Sequence, residues 1–283
     1  MLFRNSSGRR TRQEWTIVGL LLVAAWCTAC PRSGHDAADD PLPGLLRVAD
    51  VAWVGRGRGG FEPVEEALLE ARTLAPGHPE VLWRLARLET AQGLAAPDTV
   101  MATRHYGRAR EFGMECLQAE ATFAQSYAVR GWSDAVTRVP PAREPCLEWT
   151  TFAWARWLAA FGGAAGAIDL PTLDLLHEHL HGDFGPDPLT LGRWTEGILY
   201  ATRPPEEGRD LGRAMTALED AIRVRPEELA RRADLVILVG DPLGDRSIRS
   251  HHLEVMRRGQ TDTPENRRAL ALVASGEDVL VPE

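Results

Sequence analysis

A histidine-rich segment near residue 180 contains the residue types found in many zinc enzymes. His177, Glu178 and His181 form the pattern H-E-x-x-H in a segment with helical apolar spacing. Histidines four residues apart share a helix face and can bind Zn²⁺, while the glutamate can activate a water molecule. A third ligand is required, and the nearest candidate carboxylate, Glu196, has no zinc-protease motif around it. The pattern therefore predicts no more than a weak metal site at His177 and His181.

The same segment has a simpler interpretation as an ordinary surface helix. Leu173, Leu176 and Leu180 recur at spacings of three and four, which is typical of a helix that packs on one face. The histidines fall on its polar side. We therefore predict a protein that is not an enzyme and needs no cofactor, and keep a zinc metalloprotease as a remote alternative.

A glycine-rich motif farther upstream is the second chemical candidate. Gly55, Gly57 and Gly60 match the pattern G-x-G-x-x-G. Dinucleotide binding would require a strand before the motif and a βαβ unit around it. Residues 44–55 have helical periodicity instead, so we predict a glycine-rich turn between two helices.

The N-terminal segment has the features of a bacterial lipoprotein signal. A basic region precedes a short apolar run at residues 16–26, which is well below the roughly 20 residues of a membrane-spanning helix. Small residues before Cys30 resemble a lipobox, so we predict signal cleavage after residue 29 and acylation of Cys30; the alternative is a secreted protein without lipid. Pro31 after the cysteine favours the outer membrane, facing the periplasm. Residues 30–43 would form a flexible tether and residues 44–283 the helical domain.

Two cysteines remain in the predicted domain. Cys116 and Cys146 form an even pair, and an oxidising compartment favours a disulfide between them. Two separate buried thiols remain the alternative, because spacing along the chain does not show whether the Cα atoms lie within bridging distance.

One helix is far more aromatic than the rest of the chain. It covers residues 147–161 and contains most of the candidate residues for an apolar ligand cleft. These candidates are Trp149, Trp154, Trp157 and Phe161. A large apolar cleft is the usual form of a small-molecule site. Packing between helices is the alternative explanation of the same residues.

The elements that position these residues are predicted to be helical hairpins. Residues 63–93 contain two apolar helical stripes separated by Pro76-Gly77-His78-Pro79. A tetratricopeptide-like spacing of small and large residues recurs at Ala102, Tyr106, Ala109, Ala214, Leu218 and Ala221. Further helices are predicted over residues 99–114, 118–137, 209–225, 226–239, 246–258 and 263–275. We therefore predict an all-α, tetratricopeptide-like hairpin array (an α-solenoid), with an irregular helical bundle as the alternative.

Composition supports a helical domain and argues against one class of partner. The chain has 283 residues, of which 44% are hydrophobic, and its 32 basic residues are all arginine. Its formal net charge is −8. An acidic protein without a basic cluster is a poor binder of nucleic acid, so we predict no nucleic-acid partner.

From about residue 44 onward the chain resembles the TatT family, the lipoprotein component associated with tripartite ATP-independent periplasmic (TRAP) transporters. The resemblance rests on the lipobox followed by degenerate tetratricopeptide hairpins, and on four segments of sequence. These segments are LEWTTFAWARWLAAF, LLHEHLHGDFG, LGRWTEGILYATRPPEEGRDLGRAMTALEDAI and ENRRALALVASGEDVL.

The resemblance implies a membrane-anchored periplasmic lipoprotein that forms a homo-oligomer, a trimer. It also implies docking of a periplasmic substrate-binding protein of a TRAP system and a cleft for a hydrophobic ligand. A general tetratricopeptide scaffold for envelope protein assembly is the alternative function. The two are distinguished by the partner that the protein recruits.

Overall fold

The computed structural model describes residues 40–162, 167–183 and 191–276, with the side chains of residues 181–183 excepted. Within these ranges the chain consists of helices and turns and contains no strand. The first helices are α1 (Leu42–Gly59), α2 (Glu62–Leu74), α3 (Pro79–Ala95) and α4 (Thr99–Gln118). The middle helices are α5 (Ala121–Arg130), α6 (Trp132–Ala135), α7 (Glu144–Phe161), α8 (Leu170–Asp183) and α9 (Leu191–Thr202). The last are α10 (Leu211–Val224), α11 (Leu229–Asp234), α12 (Arg246–Arg258) and α13 (Pro264–Ser275). Residues Leu235–Gly240 extend α11 as a π-helical segment.

Short polar side chains begin several of these helices. The carboxylate of Asp98 accepts a hydrogen bond from the backbone N–H of Met101 at 2.8 Å, and Asp210 does the same for Arg213 at 2.9 Å. Thr263 caps α13 in the same way. Such a cap satisfies a backbone donor that the helix leaves unpaired, which stabilises it by about 1 kcal/mol.

Consecutive helices pair as hairpins, which confirms the all-α hairpin prediction. Helix α1 packs on α2, α3 on α4, and α9 on α10. The residues predicted at repeat positions are all buried. They are Ala102, Tyr106, Ala109, Ala214, Leu218 and Ala221. Alanines at these positions let the paired backbones approach closely.

Helix α7 lies at the centre of the domain. It contacts α3, α4, α8 and α9. Its buried residues are not confined to one stripe, as expected for a helix that is apolar on all sides. The position of α7 explains why the most aromatic helix of the chain is surrounded by others.

The last helix returns to the first hairpins. Helix α13 packs on both α3 and α11. The Nε of Arg56 in α1 donates a hydrogen bond to Glu265 of α13 at 2.9 Å. In an open array of repeats each unit contacts only its neighbours along the chain. Here the end of the array also contacts its beginning.

The prediction of a glycine-rich turn after residue 55 is wrong, because α1 continues to Gly59. Two contacts explain why the helix continues past residue 55, one to α13 and one to the loop before it. Arg56 pairs with Glu265, and Gly57 approaches the backbone of Asp262 so closely that a Cβ would lie 3.1 Å from its carbonyl oxygen. The chain turns at Gly60, whose φ of +70° favours glycine.

The prediction of one helix over residues 118–137 is also wrong. Helix α5 ends at Arg130, and Gly131 adopts a φ of +75° before α6 begins. A left-handed glycine ends a helix because its backbone leaves the right-handed path. The apolar periodicity continues across this break, which is why the pattern alone did not reveal it.

Replacing Gly113 with Ala is expected to destabilise the domain by about 1–3 kcal/mol. Gly113 lies where α4 and α7 are closest. A Cβ there would lie 2.2 Å from the Oγ1 of Thr150 and 3.0 Å from its Cα, so the helices would have to separate. This cost exceeds the gain of up to about 1 kcal/mol from the better helix propensity of alanine. Urea unfolding measures the difference.

Gly107 on the same helix provides the matched control. A Cβ at Gly107 would be 3.6 Å from the ring of Trp157, an ordinary contact distance. Gly107→Ala should therefore leave stability unchanged or raise it. Equal destabilisation by the two substitutions would contradict a close α4–α7 approach at Gly113.

The unfolding free energy is expected to fall as pH decreases from about 6.5 to about 4, in part because of His252. Burial, with the charges of Arg232 and His251, lowers the pKa of His252 from 6.5 to about 4. Between these values the unfolded chain binds a proton that the folded chain does not, so acid favours unfolding. His252→Gln should reduce the loss of stability between pH 7 and pH 5, measured by urea unfolding. An unchanged pH dependence in His252→Gln would refute the assignment.

Candidate functional site

The four aromatic candidates of α7 occupy two different environments. Trp154 is buried, and its Nε1 donates a hydrogen bond to the Oδ2 of Asp169 at 2.9 Å. Trp149 is half-buried and meets the edge of Phe152, with ring centroids 6.2 Å apart. Trp154 is therefore a core residue and Trp149 packs partly against the core, which agrees with the packing explanation of the aromatic sequence.

Trp157 and Phe161 form a stacked pair at the surface. Their ring centroids lie 4.8 Å apart with an angle of 9° between the planes, and Phe161 is 51% exposed. The guanidinium of Arg110 on α4 lies 5.1 Å from the Trp157 ring and 4.2 Å from the Trp154 ring. We call Arg110, Trp157 and Phe161 the aromatic patch. It combines exposed apolar area with a cation whose position is set by its neighbours.

A narrow cleft adjoins the aromatic patch. Its walls come from the end of α3, the start of α4, α7, α11 with its π-helical extension, and α13. Its volume is about 50 Å³. Trp157 packs against Ala96, Ala102 and Tyr106, which also line this cleft. None of the four aromatic candidates lines the cleft itself. We call this space the α3–α13 cleft.

The α3–α13 cleft is lined by a buried ion pair. The Nη1 of Arg156 donates to Asp234 Oδ1 at 2.8 Å, and its Nη2 donates to Asp234 Oδ2. The two residues are only 2% and 4% exposed. The indole N–H of Trp194 also donates to Asp234. Asp234 is the last residue of α11 before the π-helical segment, a type of irregularity that often occurs at functional sites.

Electrostatics keep the polar groups of the cleft in defined protonation states. Burial alone would lower the pKa of Arg156, but the adjacent charge of Asp234 outweighs it and raises that pKa. Burial raises the pKa of Tyr106 to about 12, so its phenol is protonated at neutral pH. The cleft thus presents a guanidinium and a neutral phenol beside small apolar side chains.

Two arginines of the cleft have unused hydrogen-bond donors. The buried Nε atoms of Arg156 and Arg268 have no hydrogen-bond partner among the described residues. Within the same part of the chain, Arg268 makes no ion pair, whereas Arg156 is paired through its Nη atoms. Buried donors without an acceptor are rare in folded proteins because each costs about 1–3 kcal/mol. Four other arginines among the described residues also have such an Nε, so what distinguishes the cleft is that two of these arginines, one of them without an ion pair, line the same space.

The candidate zinc ligands are not gathered into a site in the described chain. His177 is buried on α8, near Glu196 of α9. Burial would raise the pKa of Glu196, but hydrogen bonds from Arg193 at 2.7 Å and Arg213 at 3.0 Å lower it. The Glu196 carboxylate is thus engaged by two guanidinium groups. The side chain of His181 lies outside the description, and the described side chains include no group of three potential metal ligands.

The two cysteines of the domain are joined by a disulfide. Cys116 and Cys146 lie 30 residues apart in the sequence, with Cα atoms 5.6 Å apart, a separation typical of disulfides. The bond connects the last turn of α4 to the first turn of α7. It encloses α5 and α6 in a covalent loop.

The predicted lipid-attachment residue, Cys30, and the predicted signal lie outside the described residues. No helix within the described ranges combines the length and apolar character needed to cross a bilayer. No family model matches the chain, and comparison with curated proteins found no match.

Sequence reasoning identified α7 but missed the cleft. Arg156 is the only charged residue between Thr150 and Phe161, and a lone charge in an apolar helix is a signal of a buried partner. The sequence did not indicate which of the 40 acidic residues would pair with it, since Asp234 is 78 residues away. Arg268 lies on an ordinary amphipathic helix and carries no comparable signal.

Proposed function

We propose that this chain is a lipid-anchored binding protein of the bacterial envelope that docks a periplasmic substrate-binding protein of a TRAP-type uptake system. The observation that carries the proposal is the aromatic patch, in which the exposed Phe161 stacks on the half-buried Trp157 beside Arg110. The resemblance to TatT lipoproteins supplies the class of partner. The geometry of the patch supports docking at this surface.

The aromatic patch has the composition of an interface hot spot. Tryptophan and arginine are enriched among residues that dominate binding energy, and exposed aromatic area is buried favourably against a partner. Arg110 is held by two indole rings and by Asp169, whose Oδ2 lies 3.5 Å from its Nη1. A cation positioned before binding loses little side-chain entropy when the partner arrives.

Site-specific photo-crosslinking in cells tests the docking surface. A photoreactive phenylalanine analogue at Phe161 should capture a periplasmic solute-binding protein, identified by mass spectrometry. Amine-directed reagents are unsuitable because the chain has no lysine side chain. The same analogue at Val129, which is 77% exposed on α5, is the matched control.

The crosslinking outcomes separate the candidate functions. Capture of a solute-binding protein from position 161 but not from 129, with loss of capture in Arg110→Ala, supports the proposal. Capture of envelope-assembly proteins alone would instead indicate a general scaffold. Identical products from both positions, or no product from position 161, would refute docking through the aromatic patch.

Lipid attachment at Cys30 is a separate part of the proposal. Cys30→Ser is expected to move the protein from the membrane fraction to the soluble periplasmic fraction, because the acyl chains are the proposed anchor. Fractionation followed by immunoblotting measures the shift. Membrane retention of a Cys30→Ser protein whose signal has been removed would exclude acylation as the anchor.

A further inference from the structure

The docking proposal does not use the α3–α13 cleft or its two arginines. Arg156 is 2% exposed, lines the cleft and has an Nε donor without an acceptor among the described residues. Arg268, half-buried on α13, lines the same cleft and also has a buried Nε without an acceptor in that part of the chain. An apolar side chain at position 268 would lose no hydrogen bond or ion pair to the described residues, whereas one at position 156 would lose the pair with Asp234.

We propose that the α3–α13 cleft binds the carboxylate group of a small aliphatic acid, held by Arg268 and by the Nε of Arg156. The planar guanidinium presents N–H donors in a fork that matches the two oxygens of a carboxylate. A ligand bound here would satisfy the buried donors that the described residues leave without an acceptor. This inference goes beyond the docking proposal and does not depend on it.

The charges around the cleft favour an anion at Arg268. The charge of Arg156 is balanced by Asp234, and these two groups form a neutral pair. Asp98 also borders the cleft, but it is exposed and its carboxylate caps α4 through the N–H of Met101. Arg268 is therefore the lining cation that lacks an ion-pair partner among the described residues.

The size and walls of the cleft limit the ligand. The cleft volume of about 50 Å³ is far below the roughly 300–1,000 Å³ of typical drug-sized pockets. The walls are largely apolar and include the small residues Gly93, Ala96, Ala102, Ala230, Ala233 and Ala269. A carboxylate with a short alkyl chain fits these dimensions, whereas an aromatic or phosphorylated acid does not.

Titration calorimetry with the purified full chain in detergent tests the proposal without any partner protein. Propionate should bind, and propionamide, which has the same shape without the charge, should bind at least tenfold more weakly. Inorganic phosphate should also bind at least tenfold more weakly, because the largely apolar walls leave several of its four oxygens without a hydrogen-bond donor. Equal affinity for propionate and either comparison compound, or no binding of propionate, would overturn the proposal.

The Arg268→Gln variant tests whether Arg268 is the residue that binds the carboxylate. It should weaken propionate binding at least tenfold while leaving thermal stability unchanged, because the structure gives the Arg268 side chain no ion pair among the described residues. Arg257→Gln, at an exposed position in the last turn of α12, is the matched control and should bind propionate normally. Unchanged binding by Arg268→Gln would rule out this cleft as the site. The calorimetry contains no partner protein, so a negative result there does not bear on the docking proposal. A negative crosslinking result likewise does not bear on the carboxylate proposal.

Discussion

Replacing Asp234 with Asn is expected to lower the free energy of unfolding by about 3–5 kcal/mol. The substitution leaves the Arg156 guanidinium charged in a site where it is 2% exposed. Asp234 also accepts a hydrogen bond from Trp194, so the change weakens the contact between α9 and α11 as well. Urea unfolding monitored by circular dichroism measures the loss.

Two comparisons test the cause of this loss. Glu254→Gln disrupts a pair with Arg258 in which the side chains are 63% and 74% exposed, and should cost less than about 1 kcal/mol. The double substitution Arg156→Met with Asp234→Leu removes both charges and should be much more stable than Asp234→Asn alone. A loss below about 1 kcal/mol in Asp234→Asn would show that the pair is not buried as described.

Removing the disulfide through Cys116→Ala and Cys146→Ala is expected to destabilise the domain by about 3–4 kcal/mol. The bond closes a loop over a separation of 30 residues, so its loss gives the unfolded chain more conformational freedom. The effect should be measured by urea unfolding with and without reductant. Reductant should destabilise the parent protein and leave the double-alanine protein unchanged.

Thiol labelling tests the same bond directly. Peptides that contain Cys116 or Cys146 should be labelled only after reduction of the denatured protein, and mass spectrometry distinguishes them from the N-terminal cysteines. Labelling of both peptides without reductant would contradict the disulfide. It would restore the alternative of two separate buried thiols.

The helices were predictable where apolar spacing and chain breakers agree. The stripe of α2 ends at Leu74 and is followed by Pro76-Gly77, while Pro79 begins α3, so local sequence determines both boundaries. The same rules gave the wrong end for α1. Its last turn is held by a contact between Arg56 and Glu265, which lie 209 positions apart in the sequence. Local patterns carry no information about such partners.

The candidate site was predictable only in part, for the same physical reason. Aromatic composition identified α7, but which of its rings are exposed depends on the helices that surround it. Trp154 is covered by Trp132 and Arg110, whereas Phe161 lies at the end of the helix and stays exposed. The cleft was not predictable from local sequence, because its walls come from five helices spread between residues 93 and 272.

The return of α13 to α1 and α3 has a consequence for cooperativity. In an open array the terminal units can fray, because each is held by one neighbour. Here the last helix is held by α3 and by Arg56 of α1, so loss of either end removes contacts from the other. The two ends of the domain are thus coupled, and their amide protons should exchange through a shared opening event rather than through independent ones.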